Sequence, residues 1–385
     1  MRFLKDVTFF IRNGASIKQR KGCSGIPITR IETISNGRFN YDRLGYADIF
    51  DSDTYKKYYL EDNDVLFSHI NSEKFLGRTV LYHPKNKTEN IIHGMNLLCL
   101  RFNQSEYSPE FFYWYSKSST AKEFYRINTK HAVNQASIPS SAIKEMPIPD
   151  FTLNKQYTIV HSLNQIQSSI DYKLDQITKL ESLVKSRFIE MFGDPILNDK
   201  NWPTSTMSDC CQMKGTKSIP HKEKYWLLNL DKIKSETGEI LGKDYVVRDE
   251  VGSSTFFFDK NYVLYSKLRP YLNKVIISDE SGFATSELVP LKPSACLDSY
   301  YLAFLLRSKS FVNWIDSTSF GAKMPRASIS ALRSFRVPLP PLELQNKFAD
   351  FVHLIDKSRF VVQKEIKDLQ ELLDSKMDEY FGGEE

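Results

Sequence analysis

The chain has 385 residues, 41% of them hydrophobic and 26% charged, with a formal net charge of +5. That length exceeds one ordinary hydrophobic core, and that composition excludes a disordered chain, so two or three globular domains are expected. The mild positive excess permits nucleic-acid binding without demonstrating it. The cysteines (Cys23, Cys99, Cys210, Cys211, Cys296) form no C-x-x-C pair of the zinc or dithiol kind and read as reduced thiols. The N-terminal apolar run is broken by Lys5, Asp6 and Arg12 before a secretory segment forms. No run approaches the roughly 18 apolar residues of a membrane helix. A soluble, cytoplasmic protein is expected.

In chain order, "NGASIKQRKG" (13 to 22) reads as a polar, basic loop. "DVLFSHI" (64 to 70) and "RTVLYHP" (78 to 84) are β-branched and aromatic runs bounded by turn residues, and read as strands. "PEFFYWYSKSSTAKEFYRI" (109 to 127) reads as one amphipathic helix with an aromatic face that belongs to a core. After the loop "KHAVNQAS" (130 to 137), "PIPDFTLNKQ" (147 to 156) launches a long segment free of proline and glycine. Its apolar residues Leu163, Ile166, Ile170, Leu174, Ile177, Leu180, Val184 and Phe188 average the 3.5-residue spacing of a coiled-coil seam. Then come the loop "KGTKSIPHKEK" (214 to 224), the strand-like "YVLYSKL" (262 to 268), a second aromatic helix "DSYYLAFLLRSKSFVNWI" (298 to 315) and the loop "GAKMPRAS" (321 to 328). "PLPPLELQ" (338 to 345) launches the last segment, with a seam of Ile355, Val362, Ile366, Leu369, Leu373 and Met377.

The chain therefore contains itself twice. Pro147 and Pro149 match Pro338 and Pro340, Gln156 matches Gln345, and "MFG" at 191 matches "YFG" at 380. Upstream, Ala136-Ser137-Ile138 match Ala327-Ser328-Ile329, "FLGRTVL" (75 to 81) faces "YLNKVII" (271 to 277), and "ITRIETISNGRF" (28 to 39) faces "LLNLDKIKSETGEI" (228 to 241). The similarity is strong in the helices and weak in the globular parts. Two like seams in one chain favour an antiparallel pair over two helices packed independently on their own domains. The fold class expected is α+β, with two similar domains of α/β character separated by a long antiparallel two-helix coiled coil, and a pseudo-two-fold internal repeat.

Catalytic signatures are missing. "GEILGKD" (238 to 244) is too short for a phosphate-binding loop, there is no G-x-G-x-x-G or H-E-x-x-H, no Asn-Pro-Pro-aromatic signature of an amino-methyltransferase, and the histidines do not fall at metal-ligand spacing. The chain reads as a binder rather than an enzyme.

A proline-rich entry, a glutamine, a long seam helix and a terminal Phe-Gly, all occurring twice, resemble the specificity subunit of a type I restriction-modification system, and the resemblance covers essentially the whole chain. It departs at Asp150, where the second entry has Pro341, and the chain stops at "GGEE". The resemblance implies target recognition domains at residues 1–150 and 196–338 and conserved spacer helices at 151–195 and 339–385. Each domain would read one half of a bipartite, asymmetric double-stranded DNA target. The helices would set the spacer and dock two modification (methyltransferase) subunits, joined for cleavage by restriction (translocase and nuclease) subunits. It also implies N6-adenine methylation with S-adenosylmethionine, and ATP and Mg used by the partners, with no cofactor, catalytic residue or metal on this chain.

Approximate two-fold symmetry suits two copies of one partner, and a helix of about 38 residues is roughly 57 Å long, more than a turn of duplex. The candidate DNA-binding residues come from three matching loop pairs, since Arg and Lys suit guanine and phosphate while Asn and Gln suit adenine. The first pair gives Lys18, Arg20 and Lys21, with Lys217, Lys222 and Lys224 opposite. The second gives His69, Asn71 and Arg78, with Lys267, Arg269, Tyr271, Asn273 and Lys274; Arg269-Pro270-Tyr271 resembles a segment common in recognition domains of this family. The third gives Asn134 and Gln135, with Lys323 and Arg326. A nuclease with an unrecognised centre, or a scaffold with no DNA role, are the competing classes. Metal-dependent cleavage or cofactor binding by the isolated chain would reveal the first, and failure to shift duplex DNA with its partner the second.

Overall fold

The computed structural model describes residues 2–20, 25–49, 53–86, 89–131, 135–321 and 323–382. The chain divides into two compact units, Met1–Tyr172 with Ile366–Glu385, and Lys173–Glu365. The helices Leu153–Phe192 and Leu342–Phe381 each contribute one part to each unit.

In the first unit, "VLFS" forms the strand Val65–Ser68, buried along its whole length. It pairs with Thr79–Leu81 on one side and Leu97–Phe102 on the other, and Thr8–Asn13 completes an antiparallel four-stranded sheet. Successive side chains point to opposite faces, so the strand serves two cores. Val65 and Phe67 join the cluster built from the aromatic helices and the long-helix segments, whereas Leu66 joins a second cluster with Ile34, Val80 and Tyr82. The second unit repeats this. Cys211–Gln212, Leu288–Pro293, Val263–Ser266 and Val275–Ile277 form an antiparallel sheet in the corresponding order. There Val263 and Tyr265 face the helices while Leu264 joins Trp226, Phe258 and Ile276. The accessory sheets diverge: three antiparallel strands (Gln19–Arg20, Gly45–Ala47, Ile26–Ile28) in the first unit, four with one parallel pairing in the second.

Each aromatic segment read as a single helix is two. Pro109–Tyr115 and Ser119–Asn128 are separated by Ser118, whose hydroxyl accepts the Ala121 N–H at 3.1 Å. Ser299–Arg307 and Lys309–Ser317 meet at Ser308, which accepts the Phe311 N–H at 3.3 Å. A serine hydroxyl that satisfies a free helical N–H makes a better start than a continuation. The proline entries begin as short strands: Pro147–Ile148 pairs with Arg2–Phe3, and Arg336–Pro338 with Thr204–Thr206.

Along the seam, Leu163, Ile170, Val184, Phe188, Leu373 and Met377 are buried. Ile166, Ile177, Leu180, Ile355, Val362, Ile366 and Leu369 are half-buried. Leu174 is not in the seam, being 49% exposed. The buried register steps 163, 166, 170, 173, 177, 180, 184, alternating three and four, and gives that turn to Lys173, whose ammonium lies 2.7 Å from the Glu365 carboxylate. In the second unit Lys173 meets Glu365 while Phe188 meets Phe348 at 5.5 Å between ring centroids, so the two helix segments run antiparallel there. The repeated Phe-Gly closes each unit. Phe192 packs on Tyr301 at 4.7 Å, and Phe381 on Phe111 at 5.3 Å. Gly193, at φ +77°, ends its helix in the left-handed conformation that glycine adopts without strain. Among the described residues, no helix is long and apolar enough to cross a membrane.

Candidate nucleic-acid interface

Two of the three expected loop pairs come together in each unit. In the first unit the chain leaves the sheet after Ser68 as a strand, Ile70–Asn71, which pairs with Ala136–Ser137, which in turn pairs with Lys130–His131. The second unit places the equivalent three segments side by side through the bridges Leu268 to Arg326 and Arg326 to Phe320. The Ile138 N–H donates to the His69 carbonyl at 2.8 Å, and the Ala327 N–H to the Lys267 carbonyl at 2.8 Å. At the turn, the Ser68 N–H donates to the Arg78 carbonyl at 2.8 Å and the Ser266 N–H to that of Lys274 at 3.0 Å. The turn bond and the accepting carbonyls thus repeat, while the donor opposite them shifts by two positions, from Ile138 in the first unit to Ala327, the match of Ala136, in the second, and the side chains carried differ.

The first frame carries Asn71, Arg78 and Gln135. The Asn71 amide donates to the Ser68 hydroxyl at 3.2 Å. The Arg78 guanidinium lies 4.6 Å over the Phe75 ring, and its buried Nη1 finds no hydrogen-bond partner among the described residues. Asn71, Phe75 and Arg78 share a pocket of about 190 Å³ with Glu32 and Ser35. Gln135 is exposed. The second frame carries Lys267 and Arg269, both half-buried, and exposed Lys323. Arg269 is held at φ +50° by its own N–H, which donates to the Pro325 carbonyl at 2.7 Å, and its buried Nε finds no partner among the described residues.

Several expected readers have other roles. His69 is 4% exposed, and burial pushes its imidazole down to about pKa 4. Asn273 is 4% exposed and stands where the first unit has Gly77, both with positive φ. Its amide donates to the Glu236 carboxylate and to the Arg307 carbonyl, each at 3.0 Å. The Lys274 ammonium donates to the Leu230 carbonyl at 2.6 Å. Arg326 is paired with Glu287 at 2.9 Å, which raises the guanidinium pKa and lowers that of the carboxyl. Tyr271 and Asn273 line a cleft of about 960 Å³ in the second unit, beside Phe188 and Arg307.

The remaining loop pair belongs to the accessory sheets. Exposed Lys18 precedes the strand Gln19–Arg20, which pairs with Gly45–Ala47. Opposite it in the repeat, Lys217, Lys222 and Lys224 are exposed, and the Lys222 ammonium donates to the Ser281 hydroxyl at 3.0 Å. The side chain of Arg20, and Lys21 and Asn134 entirely, lie outside the described residues. Lys130 and His131, exposed on the first hairpin, and Phe320 and Met324, exposed at 64% and 52% on the second, were not among the sequence candidates. For Lys130, His131 and Met324 the only sequence signal was membership of the third loop pair, and Phe320 lies just before its second member. Among the described residues no cluster could hold a metal ion.

This geometry defines a duplicated α+β protein that mounts two different polar edges on one repeated frame. The family model described as "Type I restriction modification DNA specificity domain" matches residues 199–371. A Methanocaldococcus jannaschii protein named as the specificity subunit of the type I restriction enzyme MjaX is 28% identical, with 96% of this chain and 89% of that one covered. The specificity subunit of the Escherichia coli enzyme EcoDI is 26% identical over 35% of this chain and 30% of its own length. The crystal structure of a type I restriction-modification S subunit from M. genitalium shares the fold at 15% identity with a TM-score of 0.54, over 100% of this chain and 96% of that one. Residues 199–371 thus match a type I restriction-modification DNA specificity domain, and along nearly its whole length the chain is similar to proteins named as specificity subunits of type I systems.

Proposed function

We propose that each unit of this chain reads one half of a bipartite, asymmetric DNA target, and that the edge around Ile70–Asn71 and its counterpart around Leu268 supply the contacts. The observation that carries this reading is the contrast within the repeat. Frame positions coincide, as at Ser68 and Ser266, while edge positions differ: Asn71 stands against Arg269, and exposed Gln135 against an Arg326 that is tied to Glu287. Asn and Gln suit adenine whereas Arg suits guanine, so the two edges favour different half-sites. Residues 1–150 and 196–338 are the recognition domains of this proposal, and 151–195 and 339–385 its spacer helices.

The helices set the distance between the half-sites and dock two methyltransferase subunits. In support, both helices expose large apolar residues outside the seam: Leu174, Leu183 and Ile189 on one, Leu354, Phe360 and Val361 on the other, each between 47% and 69% exposed. Exposed apolar residues in this number on both helices leave surface for a protein partner. The assembled complex methylates adenine at N6 in the cytoplasm. S-adenosylmethionine is bound by the methyltransferase subunits, and ATP and Mg by restriction subunits where these are present.

Mapping N6-methyladenine across the host genome with and without this gene tests the reading. The expected result is the loss of one asymmetric bipartite motif when the gene is deleted. An unchanged methylation pattern in cells that retain an active methyltransferase would refute it.

A further inference from the structure

The hairpin of the second unit carries an apolar tip that base-edge reading leaves unused. The Phe320 N–H donates to the Arg326 carbonyl at 3.1 Å and the Arg326 N–H returns to the Phe320 carbonyl at 2.9 Å, which closes the hairpin. Its base is fixed three further times: by the Leu268 bridge, by the Arg269 N–H on the Pro325 carbonyl, and by Arg326 on Glu287. On this anchored support stand Phe320, 64% exposed, and Met324, 52% exposed. Single exposed apolar residues are ordinary, but two large ones on one pinned hairpin are not.

The charge around them selects the occupant. Exposed Lys323 lies between them in sequence, and Lys267 and Arg269 belong to the adjoining segment. The carboxylate of Glu287 on this edge is occupied by Arg326 and faces Lys267 as well. An apolar tip with an exposed cation beside it and two more on the adjoining segment matches a duplex, whose phosphates surround flat apolar bases. Phe and Met are among the side chains that enter base steps as wedges, and the step opened costs only a few kcal/mol. Pinning the hairpin beforehand reduces the ordering cost of insertion. In the first unit the described exposed residues of the corresponding strand pair, Lys130, His131 and Gln135, are polar, and residues 132–134 lie outside the described residues.

We propose that Phe320 and Met324 form a wedge that enters and unstacks one base step at the half-site served by the second unit. The proposal rests on the DNA-reading function given above. A wedge of this kind favours pyrimidine–purine steps, which unstack most readily, so it adds selectivity at a position that no hydrogen bond reads.

The test uses the chain assembled with its methyltransferase subunits on duplex carrying the mapped target, with 2-aminopurine placed at each purine position in turn. The expected result is brightening at a step in the second half-site, lost several-fold in the Phe320→Ala/Met324→Ala double variant and kept in Phe320→Trp. Brightening at the adenines to be methylated, which arises from base flipping by the partner, stays the same and reports that the variant is folded and assembled. Affinity falls about tenfold, as expected for the loss of one inserted step. Sequence-specific binding with no brightening outside the methylated adenines would overturn the wedge and leave the reading function standing. Brightening that persists in the double variant would overturn it too, as would normal DNA binding coupled with failure to hold the methyltransferase, which would make the tip a protein contact. If the wild-type complex bound no DNA, the reading function itself would fall and the wedge with it.

Discussion

Gln345 and Asp298 are joined in the second unit as Gln156 and Ser108 are joined in the first. The Asp298 backbone N–H donates to the Gln345 amide oxygen at 2.9 Å, and the Ser108 N–H to that of Gln156 at 2.8 Å. Both glutamines are fully buried, and each amide donates to a carbonyl of its own entry segment, Pro340 at 2.9 Å and Phe151 at 2.8 Å. Each glutamine thus clamps the start of a long helix to the start of an aromatic helix.

Gln156→Ala or Gln345→Ala strands a buried N–H and a buried carbonyl, at a cost of about 2–3 kcal/mol. Hydrogen exchange read segment by segment checks this, with faster exchange expected in 109–115 for the first variant and in 299–307 for the second.

The Leu174 finding separates folding from docking. Ile170→Glu places a charge at a position 4% exposed and destabilises the chain by more than about 3 kcal/mol. Leu174→Glu, on an outward position, changes urea stability by less than about 0.5 kcal/mol and weakens binding of the methyltransferase subunit, as measured by titration of the two purified proteins.

Asn273 is a framework residue. Asn273→Gly keeps the left-handed backbone but loses the bonds to Glu236 and Arg307, and is expected to cost about 1–2 kcal/mol. Asn273→Ala adds strain at φ +51° and costs about 2–3 kcal/mol. Thermal denaturation orders the two, and the methylated motif stays the same in both.

His69 gives the first unit an acid sensitivity. Its folded pKa of about 4 lies below the usual 6.5, so the unfolded chain takes the proton more readily between those values. Stability is therefore intact above about pH 6.5 and declines as pH falls through that window, by on the order of 2–3 kcal/mol. Buried His93 shifts in the same direction. Urea titrations at pH 5 and 7.5 are expected to show a smaller difference for His69→Gln than for the wild type.

What the sequence made legible was what the repeat and the helical period carry. Two prolines, a glutamine and a seam ending in Phe-Gly marked both long helices, because a helix that buries one stripe over many turns leaves a periodic signature. Averaging that period misplaced Leu174, since only the three-and-four alternation assigns the turn to Lys173. The serine breaks at Ser118 and Ser308 lay unread inside runs of aromatic residues, where the periodic signal continues across the cap. At the edge, the loop pairs were visible as matched segments. Which side chains are accessible depended on the break between the strands Val65–Ser68 and Ile70–Asn71, where His69 is buried and Asn71, two residues on, is only half-buried. Asn273 looked like a reader of adenine, and only the left-handed backbone shared with Gly77 gives its role.

The most direct test of two separate readers on one frame is to replace residues 1–150 by the first unit of another member of the family and to map methylated adenines in cells expressing the hybrid. The account predicts a new motif in one half-site, with the other half-site and the spacer unchanged. A hybrid that methylates with both half-sites altered, or with neither altered, would contradict it.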